Sequence, residues 1–260
     1  MARYTTINYG LLALLAYLSL TASLFGCAGT PWQQHSASTD KTMPIEWTQE
    51  LSIVSLLAEE PTVNSQEDLS ELLAQLWYAS IDVKTNKADE SKTLTNCNDF
   101  FAIKEPDLRA QQEQENDSLL EFKVMCEATR LLSQATAARH SNIPTNPLDA
   151  QLPTKLPKSL ALITSQSEGY RIQRNHDLTH WGNVNAIRKV QQKSAYQSVY
   201  YSDAGVQTLA VLGRGDINGD KWDDILVTVK DTVEGGSYFN LRLFVLTVTA
   251  QDKWQVVAQY

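Results

Sequence analysis

The stretch Arg214-Gly-Asp-Ile-Asn-Gly-Asp-Lys-Trp-Asp-Asp-Ile-Leu-Val-Thr-Val229 constrains this chain more tightly than any other, because it sets a cluster of oxygen-bearing side chains directly against an apolar, β-branched run. Gln207–Leu212 before it and Ile225–Val229 after it read as strands, so the cluster lies in a loop between two strands. Asp216, Asn218, Asp220 and Asp224 occupy positions 1, 3, 5 and 9 of that loop. At this spacing short side chains can turn inward onto one hard cation, with the backbone carbonyl near Trp222 completing the shell, and calcium is the natural guest. An EF-hand would need Gly at position 6 and Glu at position 12, where this loop has Lys221 and Val227.

The run Gly215-Asp-Ile-Asn-Gly-Asp-Lys-Trp-Asp-Asp-Ile-Leu-Val227 resembles the calcium loop of FG-GAP and VCBS-type β-repeats, which usually carry Gly where Lys221 stands. A non-Gly residue forced to positive φ there costs on the order of 1 kcal/mol. The alternative is a hairpin loop whose Asp and Asn side chains bond their own backbone. Propellers repeat such loops at intervals of about 40 to 60 residues. No second copy is visible, so the loop implies one antiparallel meander, continued by strands over 238–248 and 253–259 with a turn at Glu234-Gly-Gly-Ser237. This tail is also similar to that of uncharacterised bacterial lipoproteins, a likeness that brings no activity with it.

Residues 1–26 combine Arg3, the apolar run Leu11–Leu20 and the ending Leu24-Phe-Gly26 before Cys27, which reads as a secretory leader. The Leu-x-Gly-Cys pattern resembles the bacterial lipobox and implies that Cys27 becomes the lipidated mature N-terminus. A transmembrane anchor or an ordinary secreted leader are the alternatives, but the apolar run is shorter than the about 20 residues a span requires. Ala28 after the cysteine implies sorting to the outer membrane, facing the periplasm. Residues 27–44 then form a polar tether. The net charge of −8, with no Lys/Arg stripe, argues against a nucleic-acid partner.

The expected fold class is α+β. In the 45–140 region, Thr48–Glu59, Gln66–Ser80 and Asn116–Arg139 carry apolar residues at helical spacing, among them Leu69, Leu72, Leu73, Leu76 and Trp77. Cys97 and Cys126 are the only cysteines left beside Cys27, and in an exported chain they are expected to form one disulfide. Four prolines between Ser141 and Pro157 suggest a linker over 141–158, with an antiparallel sheet domain over 159–260.

His176-Asp-Leu-Thr-His180 has the His spacing of a zinc helix but Asp177 in place of the catalytic Glu, and no third ligand is visible. No nucleophile elbow, Walker loop or dinucleotide fingerprint is present. The sequence therefore favours a non-catalytic, lipid-anchored binding or interaction protein of the bacterial envelope. It would hold the membrane through Cys27, bear a structural calcium ion, and engage an envelope component or protein that the sequence does not name. An envelope-polymer hydrolase with unidentified carboxylates, and an immunity-type lipoprotein that blocks a toxin, are the alternatives.

Overall fold

The computed structural model describes residues 42–85, 91–105 and 108–260; the expected leader and the expected lipidation site Cys27 lie outside the described residues. Its centre is a seven-stranded antiparallel sheet, six strands of which come from residues 187–259 and the seventh from Glu46–Trp47. The elements in chain order are β1 (Glu46–Trp47), α1 (Gln66–Leu72), β2 (Ile81–Lys84), β3 (Ser91–Leu94), α2 (Cys97–Ala102), β4 (Arg109–Ala110) and α3 (Asn116–Gln134). After them come α4 (Leu152–Lys155), α5 (Gln166–Arg174), α6 (Trp181–Val184), β5 (Ile187–Gln192), β6 (Gln197–Ser202), β7 (Val206–Gly215), β8 (Asp224–Thr232), β9 (Phe239–Val248) and β10 (Trp254–Gln259). Strands β5 to β10 form a meander in sequence order, β1 adds to the end of β7, and β3-β2-β4 form a second small sheet.

The large sheet is covered on both faces. Ala210, Leu212, Leu226, Leu241, Leu243 and Val245 belong to the core shared with α1, α2 and α3. Leu209, Val211, Ile225, Val227, Val229, Phe244 and Leu246 face the other way, onto Leu148, Leu152, Leu156, Leu160 and Trp181. A strand buried on both faces needs a continuous apolar run rather than an alternating one, which is why Ile225–Val229 shows no alternation. Asp40–Tyr260 is one compact unit. The segment 141–158 is therefore not a linker between domains: its prolines do break helical structure, yet Leu148, Leu152 and Leu156 are at most 2% exposed against the sheet.

The expected helices are shorter than their periodicity suggests. In 48–59 only a 3-10 turn forms, over Ser52–Leu56, with no side-chain cap. Helix α1 begins at a capping box of Ser65 and Asp68 but stops at Leu72. Beyond it the chain turns so that Trp77 stacks on Phe122 with ring centroids 4.1 Å apart, which leaves Leu76 59% exposed. Helix α3 buries Leu119, Phe122, Met125, Cys126, Leu131 and Leu132 as expected, but ends at Gln134 rather than Arg139. Its last turn is capped from a distance: the Gln66 side-chain amide donates to the carbonyls of Leu132, Ser133 and Ala135. Such a cap satisfies carbonyls that a helix end leaves without intrahelical partners.

Cys97, at the start of α2, and Cys126, within α3, are joined by a disulfide with their α-carbons 5.4 Å apart. Both are fully buried, so the bridge fixes α2 against α3 within the core. Among the described residues, no helix is long and apolar enough to cross a membrane.

Candidate metal centre

The acidic loop, residues 216–223, joins the ends of β7 and β8, two central strands in register from Val206↔Thr232 to Gly215↔Asp224. Gly213 lies where a register shift follows Val211, and it brings the strand up against its neighbours. A Cβ there would meet the Glu46 carbonyl oxygen at 2.6 Å and Leu132 Cδ2 at 2.7 Å. The loop thus emerges from a point where β1, α3 and the sheet are in close contact.

Within the loop each ligand-type side chain is turned onto the loop itself. Asp216 Oδ1 accepts from the Gly219 amide at 2.7 Å, and its Oδ2 accepts from the Lys221 amide at 3.0 Å and the Thr136 hydroxyl at 3.1 Å. Asn218 Oδ1 accepts from the Asp220 amide at 2.9 Å, and Asp220 Oδ1 accepts from the Trp222 amide at 2.8 Å. Asn218 and Asp220 are exposed, whereas Asp216 and Asp224 are buried. Lys221 adopts the left-handed conformation, φ 72°, that the loop demands of this position and that favours Gly.

Asp224 stands apart from the others. It is fully buried; its Oδ2 accepts from the Ile217 amide at 3.1 Å, but its Oδ1 has no hydrogen-bond partner. Burial pushes its carboxyl up to about 6, and the nearby Asp220 carboxylate adds to the rise against the opposing hydrogen bonds. An orphaned buried carboxylate oxygen is costly unless protonated, hydrated or coordinated. The side chains alone make no such group: among the described residues no three His, Cys, Asp or Glu side chains are gathered to hold a metal. The expected ligand set adds the Asn218 amide oxygen and the Trp222 carbonyl as neutral donors, and the orphaned Asp224 oxygen has the chemistry of a hard-cation ligand.

Asp223 does different work. It is 2% exposed and forms an ion pair with Arg214, while its other contact is the Ser141 hydroxyl, which donates to it at 2.8 Å. Asp231 is likewise paired, with Arg242 at 2.9 Å. Among the described residues the buried carboxylates are Asp216, Asp223, Asp224 and Asp231; Asp223 and Asp231 have arginine partners, whereas Asp216 and Asp224 accept from amides of the loop. No pair of them outside the loop is placed for acid–base work. A groove of about 520 Å³ beside α5 holds Lys158 and Arg242, but both spend their donors on the protein. Lys158 donates to the carbonyls of Ile172, Gln173 and Asn175, and Arg242 donates to Asp231, Ser159, Leu160 and Ala161.

The two histidines of the zinc-like pattern are not brought onto one helix face. Helix α5 ends at Arg174, so His176 lies past it, and His180 precedes α6.

Sequence reasoning missed the residues that hold the loop from outside. Thr136, Arg139, His140 and Ser141 follow α3 and bind the loop about 80 positions later in the chain. Nothing in their composition marks them, since the bonds are mostly to backbone groups. Neither the family models, nor the curated proteins, nor the solved structures provide a match to this chain.

Proposed function

We propose that the chain is a lipid-anchored, periplasm-facing protein of the bacterial envelope that works by binding rather than catalysis, and that a calcium ion fastens the β7–β8 end of its sheet. The observation that carries the calcium reading is the buried Oδ1 of Asp224, which has no hydrogen-bond partner, on a carboxylate that accepts from the Ile217 amide of the loop and lies near Asp220. A bound divalent cation would supply positive charge to the Asp220 and Asp224 carboxylates, which otherwise repel one another. Asp216 and Asp224 would hold it from the strand ends, Asn218 and Asp220 from the exposed turn. The anchor rests on Leu24-Phe-Gly-Cys27, and the sorting to the outer membrane on Ala28. Multiple acylation of one cysteine would attach the chain stably, where a single acyl chain gives marginal binding.

Pairing of Asp223 and Asp231 with arginines supports binding over the hydrolase alternative, because it commits these two buried carboxylates to ion pairs. Two measurements test the reading. Calorimetry with calcium should show one site, lost in Asp220→Ala. Cys27→Ser should move the protein from the membrane to the soluble fraction with an altered mature mass. Absence of heat at millimolar calcium would remove the ion from the proposal, and unchanged fractionation at the same mass would remove the anchor.

A further inference from the structure

The chain crosses from one face of the sheet to the other at the acidic loop. Helix α3 packs on one face, and Leu148–Leu160 pack on the other. Residues 135–141 make the crossing as a strap laid along the loop. The Thr136 amide donates to the Asp216 carbonyl at 2.9 Å, and the Asp216 amide donates back to Thr136 at 2.8 Å. The amides of Arg139 and His140 both donate to the Lys221 carbonyl, at 2.9 and 3.2 Å, and the Asp223 amide donates to the His140 carbonyl at 2.8 Å. On its other side the strap exchanges two bonds between Ala138 and Met43, close to where the described chain begins. Entry segment, strap and loop are thus three backbone segments laid side by side.

We propose that calcium in the loop is the latch of this strap, so that ion occupancy controls the opening of residues 135–141. The inference rests on the calcium reading above and gives that site a regulatory role. Three features support it. First, the acceptor of two strap amides is the carbonyl of Lys221, presented by a left-handed residue. Second, the same Asp216 Oδ2 takes both the Lys221 amide and the Thr136 hydroxyl, so loop shape and strap position share one oxygen. Third, the tip residues Asn218, Gly219 and Asp220 are exposed, and the bonds that shape the tip come from the side chains of Asp216, Asn218 and Asp220. A turn shaped by its own carboxylates opens readily when they repel, and its opening removes the strap's acceptors together.

The test is amide hydrogen exchange on the full chain, in calcium chloride and in EDTA, beside calorimetry on the same sample. If opening the strap requires an ion-free loop, exchange of the Thr136, Arg139 and His140 amides should slow by the factor 1 + [Ca]/Kd, about 11-fold at tenfold Kd. Amides of β2 and β3, which pair only with each other and β4, should not change. Asp220→Ala should lose both the heat and the protection. If calorimetry shows binding but the strap amides exchange as before, or every amide slows alike, the latch is wrong and the calcium site stands. If there is no binding heat, both fail.

Discussion

Replacing Asp224 with Asn gives the sharpest test of the loop, because burial and charge pull in opposite directions with and without the ion. The folded-state carboxyl is pushed up to about 6 from 3.8, mainly by burial. Between those values the native state keeps a proton that the unfolded chain loses, so this group makes stability fall as pH rises. Its penalty is absent below pH 4 and complete above pH 6. At 1.36 kcal/mol per pKa unit, the difference is worth about 3 kcal/mol. Asn removes the charge while its side-chain oxygen can still accept from the Ile217 amide. In EDTA at pH 7, Asp224→Asn is therefore expected to be more stable than the wild type by up to about 3 kcal/mol, or roughly 6 to 12 °C in Tm for a chain of this size. At pH 4 the two should melt together. Calcium at tenfold Kd should return about 1.4 kcal/mol to the wild type and nothing to the variant. Melting curves at pH 4 and 7, each with calcium and with EDTA, decide it. A variant that gains no stability at pH 7 relative to pH 4 would refute the claim that Asp224 is a desolvated, uncompensated carboxyl.

Three further outcomes follow from the same geometry. Lys221→Gly should stabilise the chain by about 1 kcal/mol, because it relieves a left-handed non-Gly residue, and should tighten calcium binding in calorimetry by removing a nearby ammonium. Replacing Cys97 and Cys126 together with Ser should lower the denaturation midpoint by the equivalent of about 3 to 4 kcal/mol, while the heat of calcium binding expected at the acidic loop should persist. Gly213→Ala should cost about 1 to 3 kcal/mol by urea unfolding, since its Cβ would press on the Glu46 carbonyl and the Leu132 side chain; a neutral effect would mean that β1 and α3 yield easily.

What could be read from sequence depended on how local the determining contacts are. Strands β7 to β10 were predictable because each is a run of apolar and β-branched residues closed by a turn, and their register follows from short connections. The disulfide was predictable by elimination among three cysteines. The helix ends were not: α1 stops so that Trp77 can reach Phe122, and α3 stops where Gln66 takes its carbonyls, contacts set by residues far along the chain. Proline likewise misled in the 141–158 segment. It excludes a long helix, but it says nothing against leucines packing on a sheet, and a sheet with both faces apolar requires some such cover.

The loop itself shows the same division on a smaller scale. The self-bonded turn is legible from spacing because Asx-type bonds reach only two to five residues, and the left-handed Lys221 from the resemblance to loops that carry Gly there. Spacing cannot rank the acidic residues by environment. Asp223 and Asp224 are neighbours in a strand entry, so their side chains point to opposite sides. One meets Arg214 and the strap; the other is buried with an oxygen left over. The distinction separates a carboxylate held in an ion pair from one with an oxygen that lacks a hydrogen-bond partner. It comes from the two layers that close over the sheet, and so from residues such as Ser141 and Arg214 that carry no metal-binding signature of their own.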